Sequence, residues 1–260
     1  MKRIIAMLLV LALCCGVLAG CGKGGSKKVW KDVVTRGEFA VGVDISKRPF
    51  SFYDETGAIV GFDVDLAEAI ANQVGLPLNL IALNEEDELK QLEEKNVDFL
   101  MHGIIKSSDT EAKLQLSKAY INNKVAVFGK GAAELKSADA IKGLKLGSVK
   151  NSAALEALKK SGATAQEFGS YRELINEVAA GKQDAAVLEL ADGEYYNSVL
   201  AERLEVAPFS LGDRYCVIVC RKGESALSDK INEALDALVK SGKAEEISKK
   251  WFGKNIFISK

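Results

Sequence analysis

The side chains that could do chemistry are few, and their spacing closes off more reactions than it opens. His102 is the single histidine in the chain. Zinc sites built on several imidazoles, and most Ser/His or Cys/His nucleophilic arrangements, are therefore all but excluded. Alternation along its strand leaves His102, beside Gly103, facing either core or cleft. Cys216 and Cys220 stand in the apolar run Tyr215-Cys216-Val217-Ile218-Val219-Cys220. On a strand their Cα atoms lie roughly 13 Å apart, beyond the about 7 Å that a disulfide spans. That spacing predicts two buried thiols on one strand face. Gly20-x-Gly22-x-x-Gly25 matches a dinucleotide fingerprint in form only, because no strand precedes it. Asn151-Ser152 stands where a strand turns into a helix, and the free N–H groups at such a helix start can take an anion.

Elements must position these groups, and the composition leaves room for them. The 260 residues are 48% apolar and 27% charged, which suits a folded chain with one large or two small domains. With 35 basic against 36 acidic residues the formal charge is −1, which argues against a nucleic-acid surface. Strands are expected at Glu38–Val43, Leu78–Leu83, Val97–Gly103, Leu144–Val149, Thr164–Phe168 and Asp184–Leu188. Helices are expected at Asp63–Val74 with Asp63 as cap, Glu85–Lys95, Ala153–Lys160, Tyr171–Ala180, Ala191–Leu200, Ala226–Ser241 and Ala244–Trp251. Such alternation implies βαβ units with parallel sheets. A helix, a polar corner, an Asp and a strand recur around Asp98 and again around Asp184, 86 residues later. The recurrence suggests two α/β lobes of related design.

The N-terminus reads as an address. Lys2 and Arg3 precede an uncharged stretch ending in Leu18-Ala19-Gly20-Cys21, which looks like a bacterial lipoprotein signal cut before an acylated cysteine. The apolar run is short of the roughly 20 residues that a spanning helix needs. Removing residues 1–20 takes two basic residues and no acidic ones, leaving a net of −3. Residues 21–28 would then be the lipidated cysteine and a flexible Gly/Ser/Lys tether.

Gly61-Phe62-Asp63-Val64-Asp65-Leu66-Ala67-Glu68-Ala69-Ile70-Ala71 resembles a signature of the polar amino-acid type of bacterial extracellular solute-binding proteins, family 3. Further pieces follow the same order: Arg48-Pro49-Phe50-Ser51-Phe52, Lys95-Asn96-Val97-Asp98, Ser117-x-x-Tyr120, Lys142-Gly143-Leu144-x-Leu146-Gly147, Arg221-Lys222-Gly223 and Lys250-Trp251-Phe252-Gly253. The resemblance implies a type II periplasmic-binding-protein-like α/β fold, with two lobes joined by two crossing hinge strands. Lobe 1 would be residues 29–120 plus 216–260, and lobe 2 with the hinge segments 121–215. It further implies a monomeric, lipid-anchored protein outside the cytoplasm that passes a small solute to the permease subunits of an ABC importer. No enzymatic activity, cofactor, metal or nucleic acid is expected. Two alternatives share the scaffold: a cyclohexadienyl-dehydratase-like enzyme, and a sensory module that binds a partner.

By the same resemblance, an Arg that clamps the solute carboxylate in amino-acid-binding members falls at Thr110, and a hydroxyl position falls at Ile105. Two aromatic positions fall at Lys47 and Glu85, and the ammonium-binding Asp of lobe 2 at Glu189. Asp44 and the hydroxyl at Ser152 are retained, and Phe50 and Gly103 complete the expected contacts. No Arg lies between Arg48 and Arg172, so no local shift of register restores the clamp. Lys47, Lys106 and Lys150 could supply positive charge, and Asp44, Glu85 and Glu189 could take an ammonium. These residues predict a zwitterionic or cationic small metabolite rather than a standard amino acid held by Arg.

Overall fold

The computed structural model describes residues 24–258. The signal and Cys21 lie outside the described residues. Helix α1 (Gly24–Arg36) begins inside the stretch expected as a tether, so Gly24–Lys28 are helical. The chain then runs β1 (Phe39–Asp44), β2 (Ser46–Lys47), β3 (Ser51–Tyr53), β4 (Ile59–Val60), α2 (Phe62–Val74), β5 (Leu78–Leu83), α3 (Glu88–Glu93), β6 (Phe99–Leu100), α4 (Ser108–Lys113), β7 (Leu114–Leu116) and β8 (Ile121–Asn122). A second unit follows: β9 (Val125–Gly129), β10 (Leu146–Val149), α5 (Ala153–Lys160), β11 (Gln166–Phe168), α6 (Tyr171–Ala179), β12 (Ala185–Glu189), α7 (Leu190–Asn197) and β13 (Glu205–Val206). The chain returns through β14 (Tyr215–Cys216) and β15 (Val219–Arg221) to α8 (Ser225–Lys240) and α9 (Lys243–Phe252).

Two five-stranded sheets result, ordered β5-β1-β6-β15-β7 and β11-β10-β12-β9-β13. In each, three strands are parallel and the fourth is antiparallel. That fourth strand is the one the chain lays down on arriving from the other lobe, β15 in the first sheet and β9 in the second. Between the lobes the two passages pair with each other. Tyr215 opposes Asn122, Asn123 N–H donates to Arg214 O at 2.8 Å, and Val125 N–H to Gly212 O at 2.8 Å.

The repeated aspartates explain the likeness of the halves. Asp98 Oδ2 accepts from Ala40 N–H at 2.8 Å while its own N–H donates to Ala40 O at 2.7 Å. Asp184 Oδ2 accepts from Lys145 N–H at 2.7 Å and its N–H donates to Lys145 O at 2.9 Å. Each Asp thus clasps the start of the neighbouring parallel strand, fixing the register of the lobe.

Local departures from the expected elements have local causes. Helix α2 starts from Gly61, not from Asp63. Asp63 lies in the first turn and points inward, where its carboxylate serves Gly103 and Tyr120 instead of capping. Phe62, Leu66 and Ile70, on one face at helical spacing, are fully buried in the first core. The helix ends in a left-handed Gly75. Helix α3 is shorter than expected because Asn84–Asp87 closes as a turn. The strand expected over Val97–Gly103 is ladder only at Phe99–Leu100. The 215–220 run divides where it leaves the hinge for the first sheet, yet its alternation persists. Cys216, Ile218 and Cys220 enter one core cluster and Val217 and Val219 another, and both cysteines are free and buried.

Candidate functional site

In both lobes the candidate residues gather at or just beyond the carboxyl ends of the parallel strands, which is where open α/β sheets hold ligands. The first-lobe rim is built by β1, β5 and β6. Asp44 ends β1 buried, its Oδ1 accepting from Ser46 N–H at 2.9 Å. Lys47 Nζ lies 3.4 Å from Asp44 Oδ2 and 2.9 Å from Glu85 Oε2. Burial pushes the Asp44 carboxyl up, but the Ser46 N–H and Lys47 outweigh it and hold it below its ordinary value. Burial likewise disfavours the Lys47 ammonium, and Glu85 and Asp44 more than offset this, leaving it raised. Asp44, Lys47 and Glu85 thus come together, with the lysine charge shared between two carboxylates.

Phe50 and Gly103 meet, but as a wall. Gly103 has φ of 76°, and a Cβ there would lie 2.8 Å from the Phe50 ring, so glycine is what lets the loop rest on the aromatic. Phe50 is buried and lies edge-on to Phe62. Gly103 N–H donates to Asp63 Oδ2 at 2.6 Å, and Tyr120 Oη donates to the same oxygen at 2.8 Å. Burial pushes the Asp63 carboxyl up to about 7 against the pull of these two donors and of His102. His102 is itself buried, with Nε2 2.9 Å from Glu88 Oε1, which resolves its orientation in favour of the core.

The position expected for the clamp is occupied otherwise. Thr110 Oγ1 accepts from Ser107 N–H at 2.8 Å and Thr110 N–H donates to Ser107 Oγ at 3.2 Å, a reciprocal cap on α4. Ile105 makes a backbone bridge to Cys216 at the hinge. Lys106 is paired with Glu111 at 3.0 Å.

The second-lobe rim is built by the ends of β10, β11 and β12. Ser152 caps α5, Oγ accepting from Leu155 N–H at 3.0 Å. Glu189 Oε1 accepts from Ala153 N–H at 3.0 Å. The helix start that reads locally as an anion seat is therefore already occupied by the protein's own carboxylate. Glu189 is only 7% exposed, and its Oε2 is buried without a partner. That orphaned oxygen is a buried acceptor without a donor among the described residues, which is rare in folded proteins.

Three residues that sequence reasoning missed share its electrostatic neighbourhood. Asp192, in the first turn of α7, is 8% exposed, and burial followed by the Glu189 charge holds its carboxyl well up. Tyr171 begins α6 with its ring stacked on Tyr196 at 6.0 Å. Burial, then the charges of Asp192 and Glu189, raise its phenol, with Arg214 opposing. Arg214 lies on the returning hinge strand, and its Nε is buried without a partner. The spacing of Glu189 and Asp192 on one helical turn was the available signal. Tyr171 and Arg214 come to the same place only through the fold.

A model of the bacterial extracellular solute-binding proteins, family 3, matches residues 39–254. The chain belongs to this family, whose members are the substrate-binding components of ABC importers. It is 26% identical over 254 residues to the Arginine-binding extracellular protein ArtP of Bacillus subtilis (strain 168), covering 95% of this chain and 96% of that protein. Among solved structures it is similar to a polar amino acid ABC uptake transporter substrate binding protein from Streptococcus thermophilus. That match has a TM-score of 0.80 at 21% identity and covers 88% and 91% of the two chains. It is also similar to an Ancestral Cationic Amino Acid Solute Binding Protein, with a TM-score of 0.74 at 26% identity and coverage of 85% and 98%. The neighbours share the type II two-lobed fold.

Proposed function

We propose that this protein captures an amino acid, or a related small zwitterionic or cationic metabolite, in the cleft between its lobes and delivers it to an ABC importer. It works as a monomer at the extracytoplasmic face of a bacterial membrane, held there by a lipid on Cys21. The observation that carries the solute class is the Glu189–Asp192 pair. Two buried carboxyls stand one helical turn apart at the start of α7, and Glu189 presents an oxygen that no group among the described residues satisfies. A buried unpaired carboxylate is unfavourable, and an ammonium arriving on the solute relieves it. Asp44 and Glu85 on the opposite rim add negative charge that Lys47 only partly neutralises. The names of the relatives, arginine-binding and cationic amino acid-binding, agree with that balance.

A thermal-shift screen against amino acids, polyamines, betaines, peptides and prephenate tests the reading. A solute at about 100 times its Kd adds roughly 2.7 kcal/mol of stability, ample to detect. A cationic or zwitterionic amino acid should give the largest shift. A response confined to dicarboxylates or to prephenate would contradict it, the latter in favour of an enzyme.

A further inference from the structure

We propose that Arg214, on the hinge strand, is the solute's carboxylate partner in this protein, so that both poles of an amino-acid head group are read by the second lobe and hinge and not from position 110. The proposal rests on the amino-acid reading above.

Four observations lead to it. First, position 110 cannot serve: Thr110 is neutral and its hydroxyl is engaged in the cap of α4. Second, the cations of the first-lobe rim are already matched, Lys47 by Glu85 and Asp44, and Lys106 by Glu111. Arg48 is directed elsewhere, its guanidinium 3.6 Å over the Phe52 ring and donating to Tyr195 Oη at 3.1 Å. Third, the Arg214 guanidinium makes no hydrogen bond or ion pair among the described residues, although its Nε is shielded from water. Fourth, Glu189 Oε2 is orphaned in the same neighbourhood: Glu189 opposes Val125 in the sheet, Ala191 N–H donates to Asn123 Oδ1 at 2.7 Å, and Asn123 N–H donates to Arg214 O at 2.8 Å.

A donor with a shielded Nε and a buried acceptor of opposite charge, in one neighbourhood yet not bonded to each other, are complementary to a molecule that carries both charges. An α-amino acid places its ammonium and carboxylate on one carbon, so it can satisfy Glu189 with Asp192 on one side and Arg214 on the other. The guanidinium fork suits a carboxylate because its N–H groups meet both oxygens in one plane. The backbone of Arg214 is part of the hinge ladder, its O accepting from Asn123 N–H and its N–H donating to Asn122 Oδ1 at 3.0 Å. A solute held by this side chain therefore touches the segment that bends when the lobes close.

The test pairs a change in the solute with a change in the protein. The purified protein is titrated calorimetrically with L-arginine, L-lysine, L-ornithine and L-histidine, and with their decarboxylated counterparts agmatine, cadaverine, putrescine and histamine. For the amino acid that binds, its amine should bind the unaltered protein about 100-fold more weakly, as for loss of one partner of a buried charge pair. In Arg214→Met that discrimination should fall below about threefold, and Arg214→Lys should retain only part of it because the fork is lost. Melting of the unliganded variants confirms that they fold. Because the amines probe the carboxylate without any substitution, a variant that fails to fold leaves the test intact. Equal binding of acid and amine by the unaltered protein overturns the proposal, as does undiminished discrimination in folded Arg214→Met. If none of the four binds the unaltered protein, the same comparison of acid and decarboxylated amine is made with the amino acid that gives the largest thermal shift; no response to any amino acid in that screen overturns the amino-acid reading itself, before any variant is made.

Discussion

Asp63 shows how much one side chain can fix. It reads from sequence as a helix cap, but its carboxylate instead ties α2 to the Gly103 loop and to Tyr120 in the core. Burial raises its pKa to about 7, against about 4 in an unfolded chain. The folded protein therefore holds this proton more tightly than the unfolded one. The stability that results is complete below about pH 4 and is lost as pH rises through about 7. Between those limits the loss from Asp63 alone is roughly 4 kcal/mol, and Asp63→Asn should flatten it. Urea unfolding of both proteins across this range measures the difference, and parallel profiles would contradict the assignment. Glu189 makes the opposite case. On the proposed reading its orphaned oxygen serves the solute and not the fold, so Glu189→Gln should leave the unliganded protein at least as stable, with a gain of about 1 kcal/mol. A clear drop in the melting temperature of that variant would mean that the carboxylate is structural.

Among the elements, the two aspartate clasps carry the repeat. Asp98 and Asp184 make the same pair of bonds to the start of a parallel strand, but in different surroundings. Ala40 is buried, and Asp98 also receives Arg36 from α1, whereas the Lys145–Asp184 clasp lies at the surface. Asp184→Ala should cost about 1 kcal/mol, and Asp98→Ala about 3, because the second leaves a buried N–H without a partner. Chemical denaturation checks the order, and a larger effect at Asp184 would contradict it. These corners were legible in sequence because the device is local. So were Leu78–Leu83 and Ala153–Lys160, which the structure reproduces residue for residue, bounded by Pro77 and by Ser152. The site was legible only in part, for a physical reason. The start of α5 reads locally as an open anion seat, but Glu189 arrives from 36 residues away to fill it. Arg214 and Tyr171 join it only once the hinge strands cross. Thr110 fell on the clamp position, yet only the folded α4 reveals that its hydroxyl is a cap.

For the whole molecule, side-chain contacts outside the hinge tie the two lobes together. Glu194 of α7 receives Arg203 Nη2 at 2.6 Å, Arg203 also donates to Phe252 O at 2.9 Å in α9, and Lys254 pairs with Glu194. Arg48 adds a bond from the first lobe to Tyr195 of α7. On the proposed reading, the relative motion of the lobes is a bend about the paired hinge strands. A solute drives that bending only by as much as it binds the closed form better than the open one. On the proposed reading, the unsatisfied groups beside the hinge supply such a difference, since they gain partners when a zwitterion is enclosed. The most direct test is calorimetric titration of the unaltered protein and of Glu189→Gln with the amino acid that gives the largest thermal shift. The account predicts clear binding to the unaltered protein and a loss of about 100-fold or more in the variant. Equal affinity in the two would contradict it, since the orphaned carboxylate would then have no part in holding the solute.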